Sequence, residues 1–176
     1  RRKKGVYFAV WAPNARSVSV IGDFNNWDNQ ANPMNKLGEI GVYELFVPGA
    51  KAGDLYKFFI VGYHGEELYK ADPYANESEL RPGTASRITD ITDYKWKDAT
   101  WIRNREKYDY KTQPMAIYEV HPGSWMKHGW TEENEEGFYN YRELAPVLTD
   151  YVKKMGYTHV ELMGIAEHPF DGSWGY

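Results

Sequence analysis

The ten residues Glu167-His168-Pro169-Phe170-Asp171-Gly172-Ser173-Trp174-Gly175-Tyr176 bring together two carboxylates, an imidazole, a hydroxyl and three aromatic rings, directly after an apolar segment. A flat ring covers the C–H face of a pyranose while polar neighbours bond its hydroxyls, so such a loop suits a ring-shaped polar ligand. Two further carboxylates, Glu119 and Glu161, sit in separate apolar segments. Neighbouring strands run ~4.8 Å apart, close to the ~5–5.5 Å between the paired carboxyl groups of a retaining glycosidase. Both glutamates lie inside their segments rather than at the ends, which favours a structural role over a catalytic one. His168 beside Pro169 makes a poor metal site, because no second His, Asp or Glu stands at ligand spacing on a helix.

These groups need elements to hold them. Pro114 introduces a strand over 115–121, followed by a loop at Pro122-Gly123-Ser124-Trp125 and an acidic run over 132–136 read as a solvated loop tip. Apolar residues then fall at Tyr141, Leu144, Ala145, Leu148, Val152 and Met155, which is helix spacing. Asn140 and Glu143 suit a capping box, and Lys153, Lys154 and Gly156 suit the C-terminal end. Pro146 conflicts with so early a start, so the helix either begins nearer Leu144 or kinks. A strand over 158–163 completes a right-handed βαβ unit. One such unit cannot bury both faces of a parallel sheet or pair both edges. Its natural completion is a (β/α)8 barrel with the site at the C-terminal strand ends. The loops at 122–125 and 167–176 leave from that end. Inside such a barrel Glu119 and Glu161 are expected to bond residues such as His121 or His159.

The first half alternates with period two. Strands are predicted over 6–11, 18–23, 42–47 and 55–61, with a shorter apolar piece at 88–91. Val6, Phe8 and Val10 share one face of the first strand and Tyr7, Ala9 and Trp11 the other; Ser17 and Ser19 point outward from the second. The chain is therefore read as mainly β. An immunoglobulin-like antiparallel β-sandwich over 1–93 is followed by a linker over 94–114 carrying Trp96 and Trp101. The first βαβ part of an incomplete (β/α)8 barrel then occupies 115–176. The start at Arg1 without Met and the stop at an aromatic residue read as a fragment of a longer enzyme.

Composition narrows the class of function. There are no cysteines, which excludes a disulfide scaffold and a Cys-ligated metal and suits a reducing compartment. The net charge of -4 argues against nucleic acid, and no apolar run approaches the ~20 residues of a membrane span. The aromatic share of 16% serves a core and a sugar-binding face equally well, so composition does not separate the two.

Phe8-Ala9-Val10-Trp11-Ala12-Pro13-Asn14-Ala15, Gly22-Asp23-Phe24-Asn25-Asn26-Trp27 and Asp54-Leu55-Tyr56-Lys57-Phe58 resemble the early-set starch- and glycogen-binding module of family 48. In the related glycogen-sensing kinase module, residues matching Trp27 and Lys57 touch the sugar. That module's second stacking Trp, expected just after the fourth strand, is replaced here around Tyr63-His64, and its polar amide contact falls near Ser86. The resemblance thus implies a glucan site at Trp27 and Lys57; the competing reading, preferred on the residues alone, has Trp27 capping the sandwich and Lys57 solvated. Ile117-Tyr118-Glu119-Val120-His121, Gly123-Ser124-Trp125, Tyr141-Arg142-Glu143-Leu144-Ala145, Met155 to Leu162 and the 167–176 motif resemble the bacterial-type 1,4-α-glucan branching enzymes of the α-amylase superfamily. Pro122, where an aliphatic residue is usual, and Gly164, where Pro is usual, depart from that pattern.

The resemblance implies a retaining double displacement in glycogen synthesis, with a glucosyl-enzyme captured by a glucan 6-hydroxyl. It implies no metal or organic cofactor, an α-glucan partner such as glycogen, amylose or a maltooligosaccharide, and a cytoplasmic setting. The reacting carboxylates are expected on later barrel strands, which leaves the chain itself inactive. Tyr176, flanked by Trp174, is the implied aromatic platform beside the cleavage point. The alternative is a non-catalytic glycogen- or starch-binding module or scaffold. Oligomeric state is left open.

Overall fold

A computed structural model describes residues 3–92, 94–132 and 134–168. Trp174 and Tyr176 lie outside the described residues. Two compact units divide the described residues, one over 3–92 together with Glu167 and His168, and one from Tyr94 to Ala166.

The first unit is built from short antiparallel strands: β1 (Gly5–Trp11), β2 (Ala15–Gly22), β3 (Asn35–Leu37), β4 (Val42–Pro48), β5 (Leu55–Gly62), β6 (Glu67–Lys70) and β7 (Ser86–Arg87). One sheet has the order β1-β4-β3 and the other β2-β5-β6, with β7 also on β5. Alternation sorts β1 as its sequence predicts: Phe8 is buried, while Tyr7 and Trp11 are exposed. Phe8, Val18, Val20, Tyr43, Val47, Tyr56 and Phe58 form the core. The Tyr56 ring sits 5.0 Å from Phe8 and 5.9 Å from Phe58. Its hydroxyl donates to Asp72 Oδ2 at 2.7 Å, and burial followed by that carboxylate pushes its pKa well above the ordinary range. Truncating Phe58, 1% exposed, removes contacts worth about 3–5 kcal/mol.

Three details differ from expectation. Ser19, predicted to point outward, is buried, because residues 32–34 lie across its strand. Val20 N donates to Asn32 O, Met34 N to Val18 O, and Ser19 bridges Pro33. The apolar piece at 88–91 is not the strand; pairing with β5 falls on Ser86 and Arg87. β3 and β6 had no apolar signal because both are exposed along their whole length, as befits charged edge strands.

The second unit contains α1 (Ala99–Arg105), β8 (Ile117–Val120), α2 (Pro122–Trp125), α3 (Tyr141–Met155) and β9 (His159–Leu162). The stretch expected as a linker thus carries a helix. β8 and β9 pair in parallel, Ile117 with His159 through Val120 with Leu162. Val120, Leu144, Leu148 and Val152 form the core between this sheet and α3. The capping box is formed: Asn140 accepts from the Arg142 and Glu143 amides, and Glu143 Oε2 accepts from Asn140 N. It pins the start at Tyr141, so Pro146 sits inside the helix rather than delaying it. Gly156 closes the helix at φ 81°. Ile117, Val160 and Leu162 remain exposed. Among the described residues no further strand joins either edge.

One carboxylate links the first unit to pH. Asp54 is buried and accepts from Lys51 N at 3.0 Å and Lys51 Nζ at 2.7 Å. Burial pushes its pKa up, but the side-chain hydrogen bond, the amide and the ammonium charge of Lys51 together hold it below the ordinary carboxylate value. A depressed native pKa gives stability that is complete above the unfolded value and fades as pH falls through the native one. Asp54→Asn should therefore flatten the acid limb of a stability profile below about pH 4. Denaturant titrations across that range check this; an unchanged acid limb would assign acid sensitivity elsewhere.

Candidate functional site

Lys57 lies between inward-facing Tyr56 and Phe58, so its side chain leaves the outer face of the β2-β5-β6 sheet, as does that of Phe59. Lys57 Nζ donates to Thr84 Oγ1 at 2.6 Å. Phe59 stands opposite Tyr69 of β6, with ring centroids 5.0 Å apart, and Tyr69 is 53% exposed. Where β2 ends, a 3-10 turn over Asp23–Asn25 leads to Trp27. Asn25 locks this turn: its Oδ1 accepts from Gly22 N, and its Nδ2 donates to Val20 O and Asn32 Oδ1. Gly22 is required, since a Cβ there would meet Leu55 O. Asp23 joins the turn to β5, accepting from Leu55 N at 2.8 Å and from Trp27 Nε1 at 3.1 Å.

Asn26 and Trp27 both have left-handed backbones, φ 54° and 61°. For a bulky residue this costs on the order of 1–3 kcal/mol, and such strain gathers at ligand-facing positions. Trp27 is nevertheless 38% exposed. A Trp that only capped the sandwich would need neither the strain nor the exposure. The outer face therefore presents an exposed ring, an ammonium and a hydroxyl, and the turn at the end of β2 presents a half-exposed indole. Rings can cover the C–H face of a sugar, and the polar pair can bond its hydroxyls.

Sequence reasoning missed Tyr69 and Thr84. Alternation would have found Tyr69 had β6 carried an apolar signal. The Tyr63-His64 segment, where the module's second stacking Trp is replaced, directly follows β5, roughly 20 Å from Lys57 at ~3.3 Å per strand residue. Ser86 is 1% exposed, and its Oγ accepts from Asp72 N at 2.9 Å, so it serves packing.

In the second unit Glu119 and Glu161 are direct cross-strand neighbours, and both are exposed. The expected bonds to His121 and His159 are not formed. His121 Nδ1 meets Ser124 Oγ at 3.3 Å, and His159 Nδ1 meets Thr158 Oγ1 at 2.8 Å. Register explains this, since it sets His159 against Ile117 and sets Glu against Glu. Pro122 opens the single turn α2 at a position that suits its missing N–H. Gly164 has φ 62°, a conformation closed to proline, so the segment after β9 follows a path that the usual Pro could not. Among the described residues no cluster of three or more His, Cys, Asp or Glu could hold a metal, and no helix is long and apolar enough to cross a membrane.

Residues 1–75 match the family model of carbohydrate-binding module 48 (isoamylase N-terminal domain). The chain is 56% identical over 174 residues to a 1,4-alpha-glucan branching enzyme of Butyrivibrio fibrisolvens, covering 99% of this chain and 27% of that protein. It is 51% identical over 172 residues to the branching enzyme of Thiobacillus denitrificans, covering 98% and 23%. It therefore spans about a quarter of the length of the curated relatives it matches. A solved structure of a putative alpha amylase from Salmonella typhimurium superposes with TM-score 0.64 at 23% identity, over 97% of this chain and 25% of that one. Klebsiella pneumoniae pullulanase complexed with maltotriose superposes with TM-score 0.60 at 19% identity, over 94% and 17%. These two likenesses concern the fold alone. The resemblance drawn from the motifs is borne out over nearly the whole chain.

The left-handed backbone at Trp27 makes a distinctive prediction. Glycine carries no penalty there and alanine does, so Trp27→Gly should be more stable than Trp27→Ala by about 1 kcal/mol. Chemical denaturation of the pair measures the difference; an alanine variant at least as stable as the glycine one would remove the strain from the account.

Proposed function

We propose that this chain is the glucan-binding module and opening βαβ portion of a 1,4-α-glucan branching enzyme of glycogen biosynthesis. The observation that carries the reading is similarity at 51–56% identity to such enzymes across both units. Residues 1–93 act as the module, and 115–176 begin the catalytic (β/α)8 barrel. In the whole protein a carboxylate attacks the anomeric carbon of an α-1,4-linked glucosyl unit while a carboxylic acid protonates the leaving glycosidic oxygen. The glucosyl-enzyme ester is then opened by a glucan 6-hydroxyl, whose proton passes to the same acid/base, giving an α-1,6 branch with retained configuration. No residue of this chain is given a covalent role. Glu119 and Glu161, each the third residue of a four-residue strand, are given no catalytic role in this reading, which places the reacting carboxylates on later barrel strands.

Trp27, Tyr69, Lys57 and Thr84 hold an α-glucan on the outer face of the first unit, and Trp174 and Tyr176 flank the cleavage point. A cytoplasmic setting suits a cysteine-free chain acting on glycogen. The second reading, a glucan-binding module acting without catalysis, is favoured by one observation: the Trp27 face takes every group from the first unit.

Two experiments test this. The full-length protein should lower the iodine absorbance of amylose and form isoamylase-sensitive linkages without new reducing ends, whereas the 176-residue chain alone should leave absorbance unchanged. Net release of reducing ends would make the protein a hydrolase. In a native gel containing amylose the chain should be retarded, and Trp27→Ala should lose most of that retardation, as removal of a stacking ring worth about 1–3 kcal/mol requires. Equal retardation of the two would return Trp27 to a packing role.

A further inference from the structure

The two sheets of the first unit end in β1 and β3, and in β2 and β6. Three of these four outer strands are protected. Residues 32–34 cover β2, while β3 and β6 are short and carry Lys36, or Glu67 and Lys70. Such devices stop a sheet from adding strands. β1 has none of them: it pairs with β4 over seven residues in unbroken register, and no charge falls between Gly5 and Trp11. We propose that the free edge of β1 is a docking site for an extended, acidic-ended segment of a partner protein, added as a further antiparallel strand.

The backbone sets the lane. Gly49 N donates to Lys4 O at 3.0 Å and Ala12 N to Gly41 O at 2.8 Å. Both pairs keep the β1–β4 register, so the even-numbered residues of β1 turn their backbone groups toward β4. Gly5, Tyr7, Ala9 and Trp11 turn their N–H and C=O groups the other way, where no strand among the described residues meets them. Beside that row, on the outer face, stand Tyr7 and Trp11, both more than half exposed. Trp11 is fixed there, its Nε1 donating to Ile40 O at 3.1 Å. Phe46 lies opposite Tyr7, and its ring crosses Gly5 so closely that a Cβ there would strike it. A strand laid on this edge gains ladder bonds and covers apolar surface of the neighbouring rings at once.

Charge selects the partner. Where β1 begins, an open cleft of about 570 Å³ runs beside Gly5 and Tyr7, lined also by Lys3, Lys4, Lys51 and Asp90. Lys51 Nζ is held by Asp54, and the Asp90 carboxylate accepts from Thr92 N and Oγ1. Lys3 and Lys4 are exposed and make no ion pair among the described residues, and Arg1 and Arg2 precede them in the chain. A strand antiparallel to β1 ends where β1 begins, so its last side chains and its carboxylate enter this positive end. Acidic groups there meet free ammonium groups, and basic ones are repelled. A second copy of β1 fits less well: paired about Ala9, it would set Lys3 and Lys4 beside a second Arg16.

The probe is a synthetic ten-residue peptide of alternating valine and threonine, closed by two glutamates and a free carboxylate. Amide hydrogen exchange of the isotope-labelled 176-residue chain reads where it lands. Without peptide, the amides of Tyr7, Ala9 and Trp11 should exchange fast and those of Phe8 and Val10 slowly. With it, exchange at the first three should slow by about tenfold or more. A peptide closed by two lysines should bind about tenfold more weakly, and Lys3→Glu combined with Lys4→Glu should reverse that preference. Ala9→Pro removes an outward N–H and no bond to β4, so it should abolish the slowing at Tyr7 and Trp11 while the amides of β5 stay protected. Outward amides already slow in the free monomer would mean that the chain covers its own edge. Slowing that grows with protein concentration in the absence of peptide would give the edge to a second copy. Either result overturns the proposal, as does an acidic peptide that slows none of the three amides or binds no better than the basic one.

Discussion

From Val18 to Gly22 the chain runs antiparallel to Tyr56–Ile60, and this ladder decides what each neighbouring side chain can reach. On its inner face Val18, Val20, Tyr56 and Phe58 meet the opposing sheet. On its outer face stand Lys57 and Phe59, with Tyr69 added by β6. One end delivers the Asp23 carboxylate and the Trp27 indole; the other delivers the Tyr63 hairpin. A slip of one residue would turn Lys57 into the core and Phe58 into solvent, burying an ammonium with no counter-charge. The packing energy of the core thus fixes the placement of every group assigned to sugar binding.

The second unit obeys a different constraint. Its strands are parallel, so they need a crossover, and α3 supplies one together with a cover for Val120. The same geometry brings Glu119 and Glu161 side by side. Proximity of two carboxylates is therefore a by-product of register here.

What could be read from the residues followed from how local the controlling interaction is. The capping box at Asn140, the glycine stop at Gly156 and the alternation of β1 are short-range and were legible. Pro146 misled because a cap three residues wide outweighs one lost helix bond. Ser19 misled because the segment that buries it, 32–34, crosses from another part of the chain. Tyr69 was hidden because β6, exposed throughout, lacks the apolar alternation that marks a strand. At the candidate site, Trp27 and Lys57 were found by motif. Thr84 was not, because its link to Lys57 spans 27 residues.

The pair β8–β9 leans on a single helix and leaves Ile117, Val160 and Leu162 in water. The sandwich, by contrast, closes its core between two sheets. Small two-stranded assemblies open far more readily than multi-strand cores. Amide protons of β9 should then exchange with solvent long before those of β5, and heating should melt the two bodies in succession. A single midpoint fitted to such a curve would describe neither.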